Sequence, residues 1–231
     1  MITVILPCAG KGTRLGVPFS KELAPVSPGR VLIDSSLDIL AKTGAQCRVI
    51  VMDDGTRERT REYVESRLPD TPVALVRQHR YAADWPDAVL RLEPWFTEMN
   101  IVMLPDSAYE CSKDPITALA AVTGESGFSF AAAKVSPDHI REAGALCVIQ
   151  DDTVRAYEDK PDKPDLYNAV WGMLGFADRE GVLGMRMIAA STNRTGAARR
   201  PVVGAPVVWL ESYRDCGTWY GYREELVNAQ H

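Results

Sequence analysis

Leu6-Pro7-Cys8-Ala9-Gly10-Lys11-Gly12-Thr13-Arg14-Leu15-Gly16-Val17-Pro18-Phe19-Ser20-Lys21-Glu22-Leu23-Ala24-Pro25-Val26 is the stretch on which the reading of this chain turns. Just before it, Ile2-Thr3-Val4-Ile5-Leu6 is a short β-branched run ended by Pro7 and two glycines, and it reads as a buried strand. The strand runs straight into Gly10-Lys11-Gly12-Thr13-Arg14. Glycine removes the Cβ that would block the close approach of an anion, and successive backbone N–H groups in such a turn form an anion-binding concavity. Thr13 adds a hydroxyl donor, Arg14 a planar fork suited to phosphate oxygens, and Lys21 a mobile point charge. The pattern is neither GxxxxGK[ST] nor GxGxxG with a helix starting at once. An ordinary strand-to-helix turn with surface charges would use the same glycine pair.

Working outward, strand and helix signals alternate. Leu32 to Lys42 has helical apolar spacing stopped by Gly44, and Arg48-Val49-Ile50-Val51-Met52 is a second strand. Thr56 to Leu68 reads as a surface helix capped by Thr56, Val73-Ala74-Leu75-Val76 as a third strand, and Asp87 to Phe96 as a helix. Ile101-Val102-Met103-Leu104 is a fourth strand, ended by Pro105-Asp106. This rhythm implies a mostly parallel sheet covered by helices on both faces. The second half changes character: Phe128–Val135, Ala145–Gln150, Thr153–Tyr157 and Val170–Phe176 read as strands, with Asp151-Asp152 as a hairpin turn. Glu180–Ala190 follows as a helix, Asn193–Arg200 as a loop, Pro206–Leu210 as a late strand, and Trp219–Val227 as the closing helix.

Composition narrows the classes. With 231 residues the chain has ample length for one sizeable core. A net charge of −5 argues against nucleic-acid binding through bulk charge, without excluding a locally basic pocket. No apolar run approaches the ~20 residues of a membrane span, and MITVILPCAG does not read as a signal peptide. The cysteines number five, widely scattered and with no CxxC, which argues against a disulfide frame or structural zinc and fits a reducing, cytoplasmic setting.

The string from Leu6 to Val26 resembles the N-terminal signature of the sugar nucleotidylyltransferases, which join a sugar 1-phosphate to a nucleoside triphosphate, and in particular the UDP-glucose and dTDP-glucose pyrophosphorylases. The resemblance implies a single-domain, Rossmann-like α/β fold of the GT-A type. That fold is a three-layer sandwich with a mostly parallel central sheet and an added β-rich sugar-binding part. Residues 1–110 would form the nucleotide-binding half, and 111–231 the sugar-phosphate half with the second metal carboxylate. It also implies Leu6, Ala9, Gly10, Gly12 and Thr13 around the nucleotide, Gln78 in Val76-Arg77-Gln78 reading the base, and Arg14 and Lys21 on the phosphates. The family's Gly-rich turn against the base is replaced by Ala83-Asp84-Trp85-Pro86.

Asp106 occupies the place of the family's metal-binding Asp, at the C-terminal end of a strand, where open α/β sheets bind ligands. Arg214-Asp215-Cys216-Gly217-Thr218 resembles the late Asp-x-Gly-Thr string that carries the second carboxylate, with Thr218 placed to cap the final helix. The implied cofactor is Mg²⁺, held by Asp106 and Asp215. Asp159-Lys160-Pro161 resembles the family's Glu-Lys-Pro, Asp159 standing for the sugar-binding acid and Lys160 for the residue that steers the sugar phosphate. Val170 lies on the strand lining the sugar pocket, Gly144 is its candidate glycine, and Trp171 stands where the family has a smaller residue. The histidines (His79, His139, His231) read as non-catalytic, with His79 beside the base-reading Gln78.

Two other readings stay open at this level. Glycosyltransferases of similar layout carry Asp-x-Asp after the fourth strand, which Asp106-Ser107-Ala108 lacks. A cytidylyltransferase acting on a non-sugar phosphate, such as phosphocholine or a phosphonate, shares the loop and both carboxylates, and a non-catalytic nucleotide-sugar-binding regulator is a third class. The choice among UTP, dTTP and CTP, and between monomer and homo-oligomer, is left open.

Overall fold

The computed structural model describes residues 1–10, 15–17, 19–55, 58–78, 82 and 84–228. Strand β1 (Ile2–Pro7) leads through a loop and a small ribbon, β2 (Pro25–Ser27) and β3 (Arg30–Val31), into α1 (Asp34–Lys42). Then come β4 (Cys47–Asp53), α2 (Glu58–Arg67), β5 (Val73–Arg77), α3 (Trp85–Leu90) and β6 (Met99–Met103). Next are β7 (Ser107–Glu110), α4 (Pro115–Ser126), β8 (Phe128–Ala133) and α5 (Pro137–Ile140). The hairpin β9 (Gly144–Val148) and β10 (Val154–Asp159) precedes β11 (Ala169–Phe176) and α6 (Asp178–Thr192). The chain closes with β12 (Val207–Trp209), β13 (Ser212–Asp215) and α7 (Trp219–Asn228).

Strands β5, β4, β1 and β6 lie side by side in parallel. Beyond β6 the sheet turns antiparallel: β11 pairs with β6, β8 and β9, and β10 with β9. The expected mostly parallel sheet with an added β-rich part is therefore what forms. Its alternation explains the two cores. Val4 and Leu6 of β1 face a cluster with Leu37, Val64 and Leu119 from α1, α2 and α4, while Ile5 faces Val89 and Ile188 from α3 and α6. Because the chain runs from β1 out to β4 and β5 and then returns to the other side of β1, the topological switch falls between β1 and β6. Ligand crevices of open α/β sheets lie at such points.

Some elements differ from the sequence reading. The helix expected over Asp87–Phe96 ends at Leu90, and a 3-10 turn covers Glu93–Trp95, because Pro94 lacks the amide a continuing helix needs. Its start is fixed by the Asp84 carboxylate, which accepts from the Asp87 amide at 3.0 Å. Thr56, expected as the cap of α2, lies outside the described residues. Helix α4 has no counterpart in the expected elements. Its Ala-rich sequence shows no apolar stripe, but its ends are marked: Asp114 before Pro115, and Gly127 in the left-handed region at φ 75°.

Asp114 ties α4 to α1. It accepts from the Ile116 and Thr117 amides, from the Thr43 hydroxyl at 2.8 Å and from the Gly44 amide at 3.1 Å. Burial alone would raise its carboxyl, but the bonds from Thr117 and Thr43 outweigh it and hold the group below its ordinary value. Its stabilisation is then full above the unfolded carboxyl range near ~3.9 and is lost as pH falls through the lower folded value. Asp114→Ala is expected to cost about 1 kcal/mol and lower Tm by about 2–4 °C at neutral pH, with the difference from wild type narrowing in acid. Thermal melts at both pH values check it.

Candidate active site

The crevice at β1 and β6 is built from short-range features. The Cys8 amide donates to Met52 O at 2.8 Å, so the chain leaving β1 is still held beside β4 at Cys8, two residues before Gly10. Ser20 O accepts from the Leu23 amide in a 3-10 turn over Lys21–Leu23, and the Ile33 amide donates to Glu22 O at 2.9 Å, which fixes that turn against the chain entering α1. Lys21 is thereby aimed back at the glycine loop, where a Cβ on Gly10 would stand 3.2 Å from its Nζ.

Asp106 and Asp215, far apart in sequence, are brought together by a two-stranded ribbon that the sequence did not announce. Strand β13 pairs antiparallel with β7 so that Asp215 stands opposite Ser107, and the Cys216 amide donates to Asp106 O at 2.9 Å. Opposed Tyr109 and Tyr213, with ring centroids 5.7 Å apart, seat the ribbon on the sheet, and Tyr109 donates to Leu104 O at 2.7 Å. A Cβ on Gly217 would lie 2.5 Å from Asp106 Oδ2 and 3.0 Å from Asp215 Oδ1, so both carboxylates converge on one glycine. The Gly217 amide donates to Asp215 Oδ1 at 2.8 Å, and Thr218 caps α7 by accepting from the Gly221 amide at 3.2 Å. Thr218 capping and Asp215 facing the crevice hold together.

Lys21 donates to Asp106 Oδ2, with only 12% of its side chain exposed. Burial alone would lower its ammonium, but the charges of Asp106 and Glu22, the hydrogen bond and the charge of Asp215 outweigh it and hold it above the ordinary value. The lysine is thus fixed as a cation. Gln78 follows β5, half-buried, with its amide donating to Asp53 O at 2.5 Å.

Among the described residues no group of three or more His, Cys, Asp or Glu side chains forms a metal cage. Two convergent carboxylates beside an anion-binding loop nonetheless suit Mg²⁺, which takes oxygen ligands and is commonly held by one or two carboxylates plus substrate phosphates. Asp106 and Asp215 fit that donor set.

The expected sugar residues divide between the two faces of the sheet. Gly144 and Asp159 are direct cross-strand partners, and Val170 pairs with Ala145. The open side of Gly144 is covered by Trp171, whose Nε1 would stand 2.0 Å from a Cβ there. Trp171 is buried and packs on Trp85 at 5.3 Å between centroids, so Trp85 fills space beside it. Val170 belongs to the opposite core and lines a separate cavity of about 430 Å³ that also reaches Asp215. Lys160 is exposed, in the left-handed region at φ 51°, with its amide donating to Ala143 O at 2.9 Å. Gly12, Thr13, Arg14, His79 and Ala83 lie outside the described residues. Leu6 is fully buried in the core, and Ala9 is half-buried beside the loop. Tyr213 and Gly217 were not singled out from sequence; Gly217 sat in the Asp-x-Gly-Thr string, but nothing local marked Tyr213.

No family profile matches the sequence, and no curated protein matches it in sequence. Solved structures do match. A UDP-glucose pyrophosphorylase complexed with UDP-glucose aligns with 100% of this chain and 99% of its own, at 16% identity and TM-score 0.73. A UTP-bound UDP-glucose pyrophosphorylase (UGPase) from Acinetobacter baumannii aligns over 100% and 95%, at 17% identity and TM-score 0.72. A protein from Bacillus anthracis assigned as a glucose-1-phosphate thymidylyltransferase, in complex with a sucrose, aligns over 100% and 96%, at 16% identity and TM-score 0.75. At such identities the likeness establishes a shared fold, and it is the fold that the Leu6–Val26 string led one to expect.

Proposed function

We propose that this protein is a nucleotidylyltransferase that joins a sugar 1-phosphate to a nucleoside triphosphate. The observation that carries the reading is the convergence of Asp106, Asp215 and the fixed cation of Lys21 beside Gly10, at the switch point of the sheet. A phosphomonoester is largely dianionic at pH 7, since its second pKa is ~6, so its attacking oxygen needs no general base. That oxygen forms a bond to the α-phosphorus while the bond from α-phosphorus to the bridging oxygen breaks, and pyrophosphate leaves with the electron pair. The obstacle is bringing one anion to another, so catalysis rests on positioning and charge neutralisation.

In this reading Asp106 and Asp215 hold Mg²⁺, which supplies positive charge to the triphosphate when bound. Lys21 neutralises charge on the α-phosphate side, Arg14 stabilises the departing pyrophosphate, and Lys160 steers the acceptor phosphate. Gln78 reads the base. UTP and dTTP are the expected nucleotides. The test is a pyrophosphate-release screen of UTP, dTTP, CTP, ATP and GTP against several sugar 1-phosphates. Release with one nucleotide and a sugar 1-phosphate is expected. Binding without release from any pair would reject a sugar 1-phosphate as the acceptor.

A further inference from the structure

We infer that the organic part of the acceptor phosphate carries a positively charged amino or ammonium group. This rests on the nucleotidyl-transfer part of the reading above and concerns the same site; an amino-alcohol acceptor would take the place of its sugar. The acceptor phosphate has to lie near Lys21 and the two carboxylates. Among the described residues, two places bear on where its organic part goes. The first, over Gly144 and Asp159, is filled from behind by Trp171, whose indole nitrogen occupies the open side of Gly144. The second is the cavity of about 430 Å³ that begins at Asp215.

The chemistry of that cavity is one-sided. Its floor is apolar, from Val135, Ala143 and Val170. Two phenol rings wall it: Tyr213, buried in the ribbon, and Tyr220, exposed at the start of α7. Asp138 and Glu142, both exposed, bring carboxylates to the rim, and His139 between them has its ring nitrogens against Ser136 at 2.8 Å and Glu224 at 3.5 Å. No lysine or arginine is among the described residues that line it. An apolar floor with aromatic faces and carboxylates is the setting in which an ammonium group gains from ring quadrupole and charge together. An acceptor with phosphate at one end and a cation at the other then matches Lys21 at one end of the site and Asp138, Glu142 and the tyrosines at the other. Amino-alcohol phosphates and amino-sugar 1-phosphates share this chemistry.

The test uses the full chain with Mg²⁺ and measures pyrophosphate release from CTP, UTP and dTTP with four acceptors: phosphocholine, phosphoethanolamine, glucosamine 1-phosphate and glucose 1-phosphate. At least one ammonium-bearing acceptor is expected to exceed glucose 1-phosphate in kcat/KM by about tenfold or more, the size of a ~1.4 kcal/mol preference. Phosphocholine or phosphoethanolamine ahead of glucosamine 1-phosphate identifies the amino-alcohol source, and the reverse identifies the amino sugar. In the double variant Asp138→Asn with Glu142→Gln, both changes being at exposed positions, the ratio of ammonium-bearing to neutral acceptor is expected to fall toward one, chiefly through KM. Glucose 1-phosphate turned over as well as every ammonium-bearing acceptor, or a ratio untouched in the double variant, overturns this inference and leaves the transfer reading standing. No release with any pair overturns both.

Discussion

Lys21→Ala is expected to lower kcat/KM by about two to four orders of magnitude, a loss of the kind seen when one preorganised charge donor is removed from a developing anion. The expectation comes from how the lysine is held. The 3-10 turn points it across Gly10, burial leaves little of it in water, and the charges of Asp106, Glu22 and Asp215 keep it protonated throughout the working pH range. A charge placed in such an environment acts with little screening and no reorganisation. Lys21→Arg is expected to recover little, because the Lys21 amine already lies only 3.2 Å from where a Cβ on Gly10 would stand, and a planar fork is larger. Steady-state kinetics with wild-type-like turnover in Lys21→Ala would remove Lys21 from the reaction. The same substitution leaves Asp106 without its cation, so a melting curve is needed beside the kinetics to separate folding from chemistry.

Removal of the metal is expected to have the largest effect of all. EDTA should abolish pyrophosphate release and added Mg²⁺ restore it, since without the ion two carboxylates and a triphosphate meet with the single cation of Lys21 between them among the described residues. The geometry offers a genetic counterpart. In Gly217→Ala the new methyl would stand 2.5 Å from Asp106 Oδ2, closer than real contacts allow, and 3.0 Å from Asp215 Oδ1, a tight contact, so the Asp106 carboxylate must shift. The expected result is a loss of roughly two orders of magnitude in kcat/KM together with a rise in the Mg²⁺ concentration needed for half-maximal rate, because the proposed Asp106 ligand is displaced and Asp215 crowded in a transition-state-stabilising site. Full activity in chelated buffer rejects the metal site. An unchanged Mg²⁺ requirement in Gly217→Ala rejects the shared-ion geometry.

The parallel half of the sheet was legible because each of its strands is a β-branched or apolar run, closed by Pro or Asp in all but the third, and the hairpin was legible from Asp151-Asp152, where Asp152 indeed takes φ 56°. Helix α4 was not, because an Ala-rich segment is apolar on every side and shows no periodic stripe, although Asp114-Pro115 and Gly127 mark its ends. The ribbon was not, because Ser-Ala-Tyr-Glu and Ser-Tyr-Arg-Asp are short, mixed in polarity and separated by residues 111–211, which form most of the second half of the fold. That ribbon is what places Asp215 beside Asp106, so the site residues could be picked out by family resemblance while their meeting could not be derived. The acceptor side was hidden for a related reason. Trp171 and Gly144 contact one another only in the folded sheet, and Asp138, Glu142, Tyr213 and Tyr220 come from three separate segments.

The ribbon has one more effect, on the order of events in folding. One carboxylate lies just ahead of β7 and the other ends β13, with residues 111–211 between the two strands. The parallel strands draw only on residues ahead of Asp106, so they can pair with one of the two acids in place. The pair of carboxylates is complete only once β13 has zipped onto β7, which makes closure of the ribbon the step that finishes the proposed site.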